Sequence, residues 1–166
     1  MNITLIGMPG SGKSTVGRIL ARELGYSFLD VDPLITAACG GPTLQAVLDR
    51  LGTEVFLDKE AEVVSSLSCE NTVLAPGGSA VLREKGALHL KSLGPVVYLE
   101  LPGSILEKRL WNLKTRGVTL APGQTLQDLC DQRRPYYEKY ADYTINAHLP
   151  RPQDTAAAIL RALNLR

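Results

Sequence analysis

A glycine-rich run near the start of the sequence has the spacing of a phosphate-binding loop. Residues 7–14 read Gly-Met-Pro-Gly-Ser-Gly-Lys-Ser and match the pattern G-x-x-x-x-G-K-[ST] at every fixed position. Glycine lets backbone N–H groups approach and surround a phosphate chain. We therefore expect Lys13 to reach the β- and γ-phosphates of a nucleoside triphosphate and Ser14 to ligate Mg²⁺. The residues predicted to hold the nucleotide in this loop are Gly10, Ser11, Gly12, Lys13, Ser14 and Thr15.

Two aspartates at the end of the second predicted strand are candidates for metal and acceptor binding. Asp30 and Asp32 are two residues apart, so an extended backbone would project both carboxylates from one face. Phosphoryl transfer requires a placed metal ion and a positioned acceptor hydroxyl. One carboxylate could serve Mg²⁺ and the other the acceptor. A structural alternative is that Asp32 caps the next helix, with Pro33 at its first helical position.

A second glycine turn, Gly77-Gly78, follows another predicted strand, residues 72–75. In open α/β sheets, ligands bind at the carboxyl ends of the strands. We therefore expect this turn, the first glycine loop and the two aspartates to meet in one crevice. The alternative is an ordinary tight turn without a ligand.

Three arginines are candidates for binding anionic groups, because a guanidinium can pair with phosphate or carboxylate through two parallel hydrogen bonds. Arg109 lies near the end of a predicted helix, Arg133 begins the segment Arg-Arg-Pro-Tyr-Tyr, and Arg116 lies between them. Arg116 falls in residues 112–124, whose two glycines, proline and weak periodicity predict a mobile lid over the phosphates. The alternatives are solvated surface arginines and a passive surface loop.

The elements that must position these residues follow an alternating pattern. Short β-like runs at residues 3–6, 27–30, 72–75, 95–99 and 143–145 are separated by stretches with helical spacing. Helices are predicted after the first glycine loop, ending at Gly25, and at residues 102–111, 126–140 and 153–163. This alternation predicts an α/β fold with a parallel sheet covered by helices on both faces.

Length and composition favour one α/β domain, residues 1–166, and exclude several function classes. A formal net charge of +1 offers no global field for nucleic acid or an anionic membrane. Three widely spaced cysteines argue against a disulfide framework or a zinc site. No leader or long apolar run is recognisable, which predicts a cytoplasmic protein without a membrane segment. We expect a monomer or weak dimer.

Several motifs in order resemble those of the shikimate kinases, small P-loop enzymes related to nucleoside-monophosphate kinases. The resemblance covers nearly the whole chain and includes residues 7–15, 28–32, the G-x-x-x-F-x-x-x-E run from Gly52 to Glu60, residues 72–81, and Arg133-x-Pro135-x-Tyr137. It implies a three-layer α/β/α fold with a five-stranded parallel sheet and a lid.

The resemblance also implies individual roles. The cofactors would be ATP and Mg²⁺, with Asp30 at the metal and Asp32 on the hydroxyls of the small-molecule acceptor. Arg109 would lie beside adenine, Arg116 would close with the lid, and Arg133 would bind substrate. The substrate residues implied in this way are Asp32, Gly77, Gly78 and Arg133, and the catalytic ones Lys13, Asp30, Asp32 and Arg116.

The sequence departs from the family pattern in its acceptor half. Leu57 stands where the family has a carboxylate-binding arginine, and Ser79 where it has a third glycine. Leaving a buried carboxylate unpaired costs roughly 2–5 kcal/mol. Shikimate remains the family default, while homoserine is an alternative whose ammonium group could pair with Asp58 or Glu54.

Two rival functions belong to other classes. A nucleotide-hydrolysing switch is disfavoured because the chain has no Asn/Thr-Lys-x-Asp segment to read guanine. A nucleotide-binding regulatory module without transfer activity is the second rival. Nucleotide binding without acceptor-stimulated turnover would identify it.

Overall fold

The computed structural model describes residues 1–110 and 120–165. Five strands form one parallel sheet: Ile3–Ile6 (β1), Ser27–Asp30 (β2), Thr72–Ala75 (β3), Val96–Glu100 (β4) and Tyr143–Asn146 (β5). The helices are Lys13–Leu24 (α1), Asp32–Cys39 (α2), Leu44–Leu51 (α3), Thr53–Ser65 (α4), Glu84–Leu93 (α5), Gly103–Arg109 (α6), Leu126–Tyr140 (α7) and Pro152–Ala162 (α8).

The sheet is ordered β2-β3-β1-β4-β5, and its centre is the core of the protein. Every residue of β1 and β3 is buried. Because successive strand side chains point to opposite faces, complete burial means that helices cover both faces of the sheet. α1 packs against α8 and β3, whereas α4 packs against α5 and α7 against β4. The predicted α/β fold with a five-stranded parallel sheet is confirmed.

The register of the sheet brings the predicted site segments to one edge. Asp30, the last residue of β2, pairs with Ala75, the last residue of β3. Within the same sheet, β3 pairs with β1, which leads into the first glycine loop. All three strands point their carboxyl ends in the same direction, so the residues that follow them emerge together.

Two strands differ from their predicted bounds, and the one predicted at residues 143–145 extends to Asn146. The predicted strand at residues 95–99 is Val96–Glu100 in the structure. Pro95 has no N–H and contributes only its carbonyl, which accepts a hydrogen bond from the Thr4 N–H at 3.0 Å. The strand therefore begins one residue later.

The first helix begins and ends at glycines. Gly12 precedes α1 with φ 97°, and Gly25 follows it with φ 70°, both in the left-handed region that favours glycine. Gly25 donates its N–H back to the last turn, a common helix end, which agrees with the predicted terminus.

The predicted capping role of Asp32 is wrong. Asp32 is the first residue of α2, and no side chain within residues 1–110 and 120–165 caps the N-terminus of this helix. Instead, the Asp32 N–H donates to Asp30 Oδ1 at 3.2 Å. The chain turns into the helix one residue earlier than expected, so Pro33 occupies the second helical position and the Asp32 carboxylate remains available to the cavity described below.

The lid region falls only partly within the described residues. Arg116 and the rest of residues 111–119 lie outside them. The helix predicted at residues 102–111 is Gly103–Arg109, and α7 has the predicted bounds. Thr125 caps α7 by accepting from Asp128 N–H, and Asp128 accepts from the Thr125 N–H in return. Among the described residues, no helix is both long and apolar enough to cross a membrane.

Candidate active site

A cavity of about 880 Å³ opens at the carboxyl ends of β1, β2 and β3. This position is the switch point of the sheet, where the strand order reverses around β1. The structure therefore brings together the three segments that the sequence predicted to meet. The lining residues that matter below are Gly10, Gly12, Lys13, Ser14, Thr15, Asp30, Asp32, Phe56, Glu60, Gly77, Gly78, Ser79, Arg109 and Arg133.

The first glycine loop forms the floor of one end of this cavity. Lys13 Nζ donates hydrogen bonds to the carbonyls of Gly7 at 2.8 Å and Met8 at 2.9 Å, which holds the ammonium group over the loop. The N-terminus of α1 follows directly, with its N–H groups and positive dipole end directed toward the loop. Ser14 and Thr15 line the cavity beside Lys13, whereas Ser11 is buried beneath it. This end can bind a phosphate chain.

Arg109 comes from the distant end of α6 and contacts the same loop. Its Nη1 donates to the carbonyl of Gly10 at 3.2 Å, and its side chain is exposed at the cavity mouth. This position suits contact with a nucleotide that extends outward from the phosphate-binding loop.

The two aspartates face the cavity from the ends of β2 and α2. Asp32 Oδ1 is buried and accepts no hydrogen bond from the described residues. Burial raises the pKa of the Asp32 carboxyl, the negative charge of Asp30 raises it further, and Lys13 lowers it. A carboxylate whose pKa is raised in this way is a better proton acceptor. Asp32 is therefore suited to receive a proton from an acceptor hydroxyl.

The second glycine turn lies against both acidic and basic side chains. A Cβ atom added at Gly77 would lie 3.0 Å from Asp32 Oδ1 and 3.2 Å from Glu60 Oε2. A Cβ atom at Gly78 would lie 2.7 Å from Pro9 Cδ and 3.1 Å from Arg133 Nη1. Glycine at these two positions therefore allows the backbone to approach the charged groups closely.

Arg133 reaches the cavity from α7, and Tyr137 on the same helix holds α7 to the glycine turn. The Tyr137 hydroxyl donates to the carbonyl of Gly78 at 2.6 Å, and its ring lies 5.0 Å from that of Tyr98. Complete burial raises the pKa of the Tyr137 hydroxyl well above its ordinary value, so it remains a donor. This contact places the Arg133 guanidinium beside Gly78.

Glu60 is a cavity residue to which sequence reasoning assigned no role. Its side chain is 1% exposed, and Oε1 accepts a hydrogen bond from the Ser79 hydroxyl at 2.6 Å. Oε2 is buried and has no hydrogen-bond partner among the described residues. The available sequence signal was the spacing of Phe56 and Glu60, since residues four apart share one helix face. Both line the cavity from α4.

The other acidic residues of α4 lie outside the cavity. Glu54 and Asp58 both pair with Arg83, at 2.5 and 3.0 Å, on the outer side of the helix. The suggestion that either could bind an acceptor ammonium group is therefore wrong. Leu57 is 8% exposed and packs in the hydrophobic core instead of lining the cavity.

We expect Glu60→Gln to flatten the pH dependence of folding stability. Burial raises the pKa of the Glu60 carboxyl from 4.5 to about 7; the Ser79 hydrogen bond lowers it, Asp32 raises it and Arg133 lowers it. At pH values between 4.5 and about 7, the folded protein binds more protons at Glu60 than the unfolded chain does. The free energy of unfolding therefore falls as the pH rises. The loss from Glu60 amounts to roughly 3 kcal/mol by pH 8.

Urea denaturation of the parent and variant at pH 5 and pH 8 measures this effect. The free energy of unfolding of Glu60→Gln, taken relative to that of the parent, should be higher at pH 8 than at pH 5. Asp58→Asn is the matched control on the outer side of α4, and it should retain the parent's pH slope. Equal slopes in the parent and Glu60→Gln would show that burial does not perturb this carboxyl.

Comparisons with known proteins agree with this geometry. The family model of shikimate kinase matches residues 9–164. A shikimate kinase of Paracidovorax citrulli is 38% identical over 88% of this chain and 82% of its own length. The solved shikimate kinase from Acinetobacter baumannii in complex with shikimate is 36% identical, with a TM-score of 0.90 over 99% of this chain and 93% of its own.

A second kind of relative is longer. Threonine synthase-like 1 of Pongo abelii is 35% identical over 98% of this chain, which spans only 22% of the length of that relative. The matching part is therefore one section of a larger polypeptide.

Proposed function

The chain belongs to the shikimate kinase family. On this premise we propose that it is an ATP-dependent small-molecule kinase, which transfers the γ-phosphoryl group of MgATP to a hydroxyl of a small carboxylate-bearing metabolite. The observation that carries the proposal is the shared cavity, in which the phosphate-binding loop, Asp32 and Arg133 face one another. A loop that holds phosphate, a proton acceptor and a carboxylate-binding cation are the parts that such a transfer needs.

The nucleotide end of the cavity has the following proposed roles. Residues 10–15 bind the phosphates, and Lys13 stabilises negative charge on the transferring phosphoryl group. Arg109 contacts the nucleotide at the cavity mouth. Arg116, in the segment outside the described residues, closes over the phosphates.

Ser14 and Asp30 would hold Mg²⁺, directly or through water. A hydroxyl and a carboxylate are the hard oxygen donors that this ion prefers, and both line the cavity. Within the described residues, no group of three or more His, Cys, Asp or Glu forms a metal cluster. Two protein ligands fit an ion that is also held by substrate phosphates, where it neutralises charge on the phosphate oxygens.

At the acceptor end, Asp32 positions the hydroxyl and receives its proton as the new bond to phosphorus forms. Arg133 pairs with the acceptor carboxylate. The glycines of the second turn, Gly77 and Gly78, let the turn lie against Asp32 and Arg133, and the backbone of this turn would contact the acceptor.

Two acceptors compete within this proposal. Shikimate is favoured by the family and by the Acinetobacter baumannii relative, whose structure holds it. Homoserine is favoured by the departures in the acceptor half. The residue at the family's arginine position, Leu57, lies in the core, so Arg133 is the one cation at this end among the described lining residues.

An acceptor panel tests the proposed function. ADP release from MgATP would be measured with shikimate, homoserine, gluconate and nucleoside monophosphates, and the products identified by phosphorus NMR. Acceptor-dependent ADP release with one hydroxy acid supports the proposal. MgATP binding without acceptor-stimulated turnover across the panel would favour a regulatory nucleotide-binding module instead.

If the native acceptor is not shikimate, we expect Leu57→Arg to raise kcat/KM for shikimate without improving use of the native acceptor. Phe56, the preceding residue, lines the cavity, and an arginine at position 57 that reached the cavity would offer a bidentate partner to the carboxylate. Inserting it into a packed position costs typically about 1–3 kcal/mol of stability.

The measurement is kcat/KM for shikimate and homoserine in the parent, Leu57→Arg and the volume-conserving control Leu57→Met. A parent that already uses shikimate at about 10⁴–10⁸ M⁻¹s⁻¹ and prefers it over homoserine would contradict the altered-acceptor interpretation.

A further inference from the structure

We infer that the acceptor end of this cavity selects a hydroxy acid that also carries an ammonium group, with Glu60 and Asp32 as its partners. This inference rests on the proposed kinase function and narrows its substrate class. The juxtaposition that carries it is a pair of buried carboxylate oxygens beside Gly77 that have no hydrogen-bond partner among the described residues.

The two oxygens converge on the same space. Asp32 Oδ1 and Glu60 Oε2 lie 3.0 and 3.2 Å from the position that a Cβ atom of Gly77 would occupy. Neither oxygen has a hydrogen-bond partner among the described residues, although both are buried. Buried polar groups in native proteins are nearly always paired, and an unpaired one costs free energy. A donor supplied by a ligand would satisfy both.

The position of the Glu60 side chain is fixed by a hydrogen bond at its second carboxylate oxygen, Oε1. The Ser79 hydroxyl donates to Oε1 at 2.6 Å and fixes the carboxyl against the glycine turn. Glu60 is 1% exposed and belongs to the cavity wall. Its Oε2 is therefore a buried acceptor in that wall.

The charges at this end favour a cation in addition to an anion. Asp32 and Glu60 face Arg133 there, while Lys13 and Arg109 lie at the phosphate-binding loop. A hydroxy acid without an ammonium group would pair its carboxylate with Arg133 and its hydroxyl with Asp32, and would leave Glu60 Oε2 without a donor. An amino acid with a side-chain hydroxyl supplies a carboxylate for Arg133 and an ammonium group for Glu60 and Asp32.

Matched acceptors test the inference on the intact protein. L-homoserine and 4-hydroxybutyrate share the carboxylate, chain length and terminal hydroxyl, and differ in the ammonium group. With MgATP, the parent should show kcat/KM for L-homoserine at least about 100-fold above that for 4-hydroxybutyrate and above that for shikimate, as expected for loss of a buried charge partner. Direct binding by calorimetry should show the same order of affinities.

Glu60→Gln should reduce that preference by about 10-fold or more, mainly through a higher KM for L-homoserine, and should leave KM for ATP unchanged. Glutamine retains an oxygen for Ser79 and the same volume, and a melting temperature confirms folding. Asp58→Asn removes a carboxylate from the outer side of the same helix and should keep the parent's preference.

The outcomes separate the two proposals. Equal or better use of 4-hydroxybutyrate or shikimate by the parent overturns this inference while the kinase proposal stands. An unchanged preference in Glu60→Gln also overturns it and leaves the acidic pair with a structural role. Absence of turnover with every acceptor, despite MgATP binding, overturns the proposed function and this inference with it.

Discussion

Replacing Lys13 with alanine is expected to lower kcat for acceptor-dependent ADP release by at least about 10²–10³-fold, the usual effect of removing one preorganised charge-stabilising group. In the structure, Lys13 Nζ is held over the phosphate-binding loop by the carbonyls of Gly7 and Met8. The ammonium group is therefore already positioned where negative charge develops on the phosphoryl oxygens. Its removal affects the transition state more than the fold, because the side chain is only half-buried.

Three measurements test this prediction: kcat, the melting temperature and MgATP affinity. Lys59→Ala is the matched control, since Lys59 is exposed and pairs with Glu62 on the surface of α4. The control should retain parental turnover. Near-normal kcat in a folded Lys13→Ala protein would mean that this loop does not hold the reacting phosphates.

Replacing Asp32 with asparagine is expected to lower kcat by about 10²–10⁴-fold, the typical contribution of general acid–base catalysis. Asp32 Oδ1 is buried in the cavity wall and accepts no hydrogen bond from the part of the chain that the structure describes. Burial raises the pKa of its carboxyl, which improves it as a proton acceptor, and an amide cannot accept the proton. MgATP affinity should change little, because the side chain faces the acceptor end.

Asp30→Asn is the informative comparison because it removes a similar charge two residues away. We expect it to raise the Mg²⁺ concentration required for half-maximal rate, since Asp30 and Ser14 both line the cavity and are the proposed Mg²⁺ ligands. Its Oδ1 also accepts the Asp32 N–H, and an asparagine oxygen can retain that bond. Titrations of Mg²⁺, ATP and acceptor in both variants distinguish the roles. Parental kinetics in both would leave the pair with a structural function only.

The two ends of the cavity differ in how they are built. The phosphate-binding end depends on consecutive residues, 7–15, and on the helix that they begin. The acceptor end joins α2, α4, the second glycine turn and α7, which are distant in sequence. A change at one of these four elements therefore alters acceptor recognition without disturbing nucleotide binding. The departure at Ser79 falls in this second end, and the departure at Leu57 lies on α4 in the neighbouring core.

The sequence by itself determined the nucleotide end and the fold class. The loop at residues 7–15 could be predicted from local properties of the sequence. These are the spacing of its glycines, the apolar strand before the loop and the amphipathic helix after it. Alternating strand and helix patterns were likewise sufficient for the parallel sheet. The predicted ends of strands and helices differed from the structure where one residue changes the hydrogen bonding, as at Pro95 and Asp32. The Asp32 side chain was predicted to cap α2, but the Asp32 N–H donates to Asp30 instead.

Only the tertiary structure decided which acidic residues of α4 face the cavity. Glu54, Asp58 and Glu60 are alike in sequence, but the packing of the helix turns Glu60 inward and leaves the other two on Arg83. The hydrogen bond from Ser79 to Glu60 joins residues 19 apart in the sequence. The hydrogen bond from Tyr137 to Gly78 joins residues 59 apart. The perturbed pKa of Glu60 has the same origin, because burial and neighbouring charge arise only when distant elements pack together.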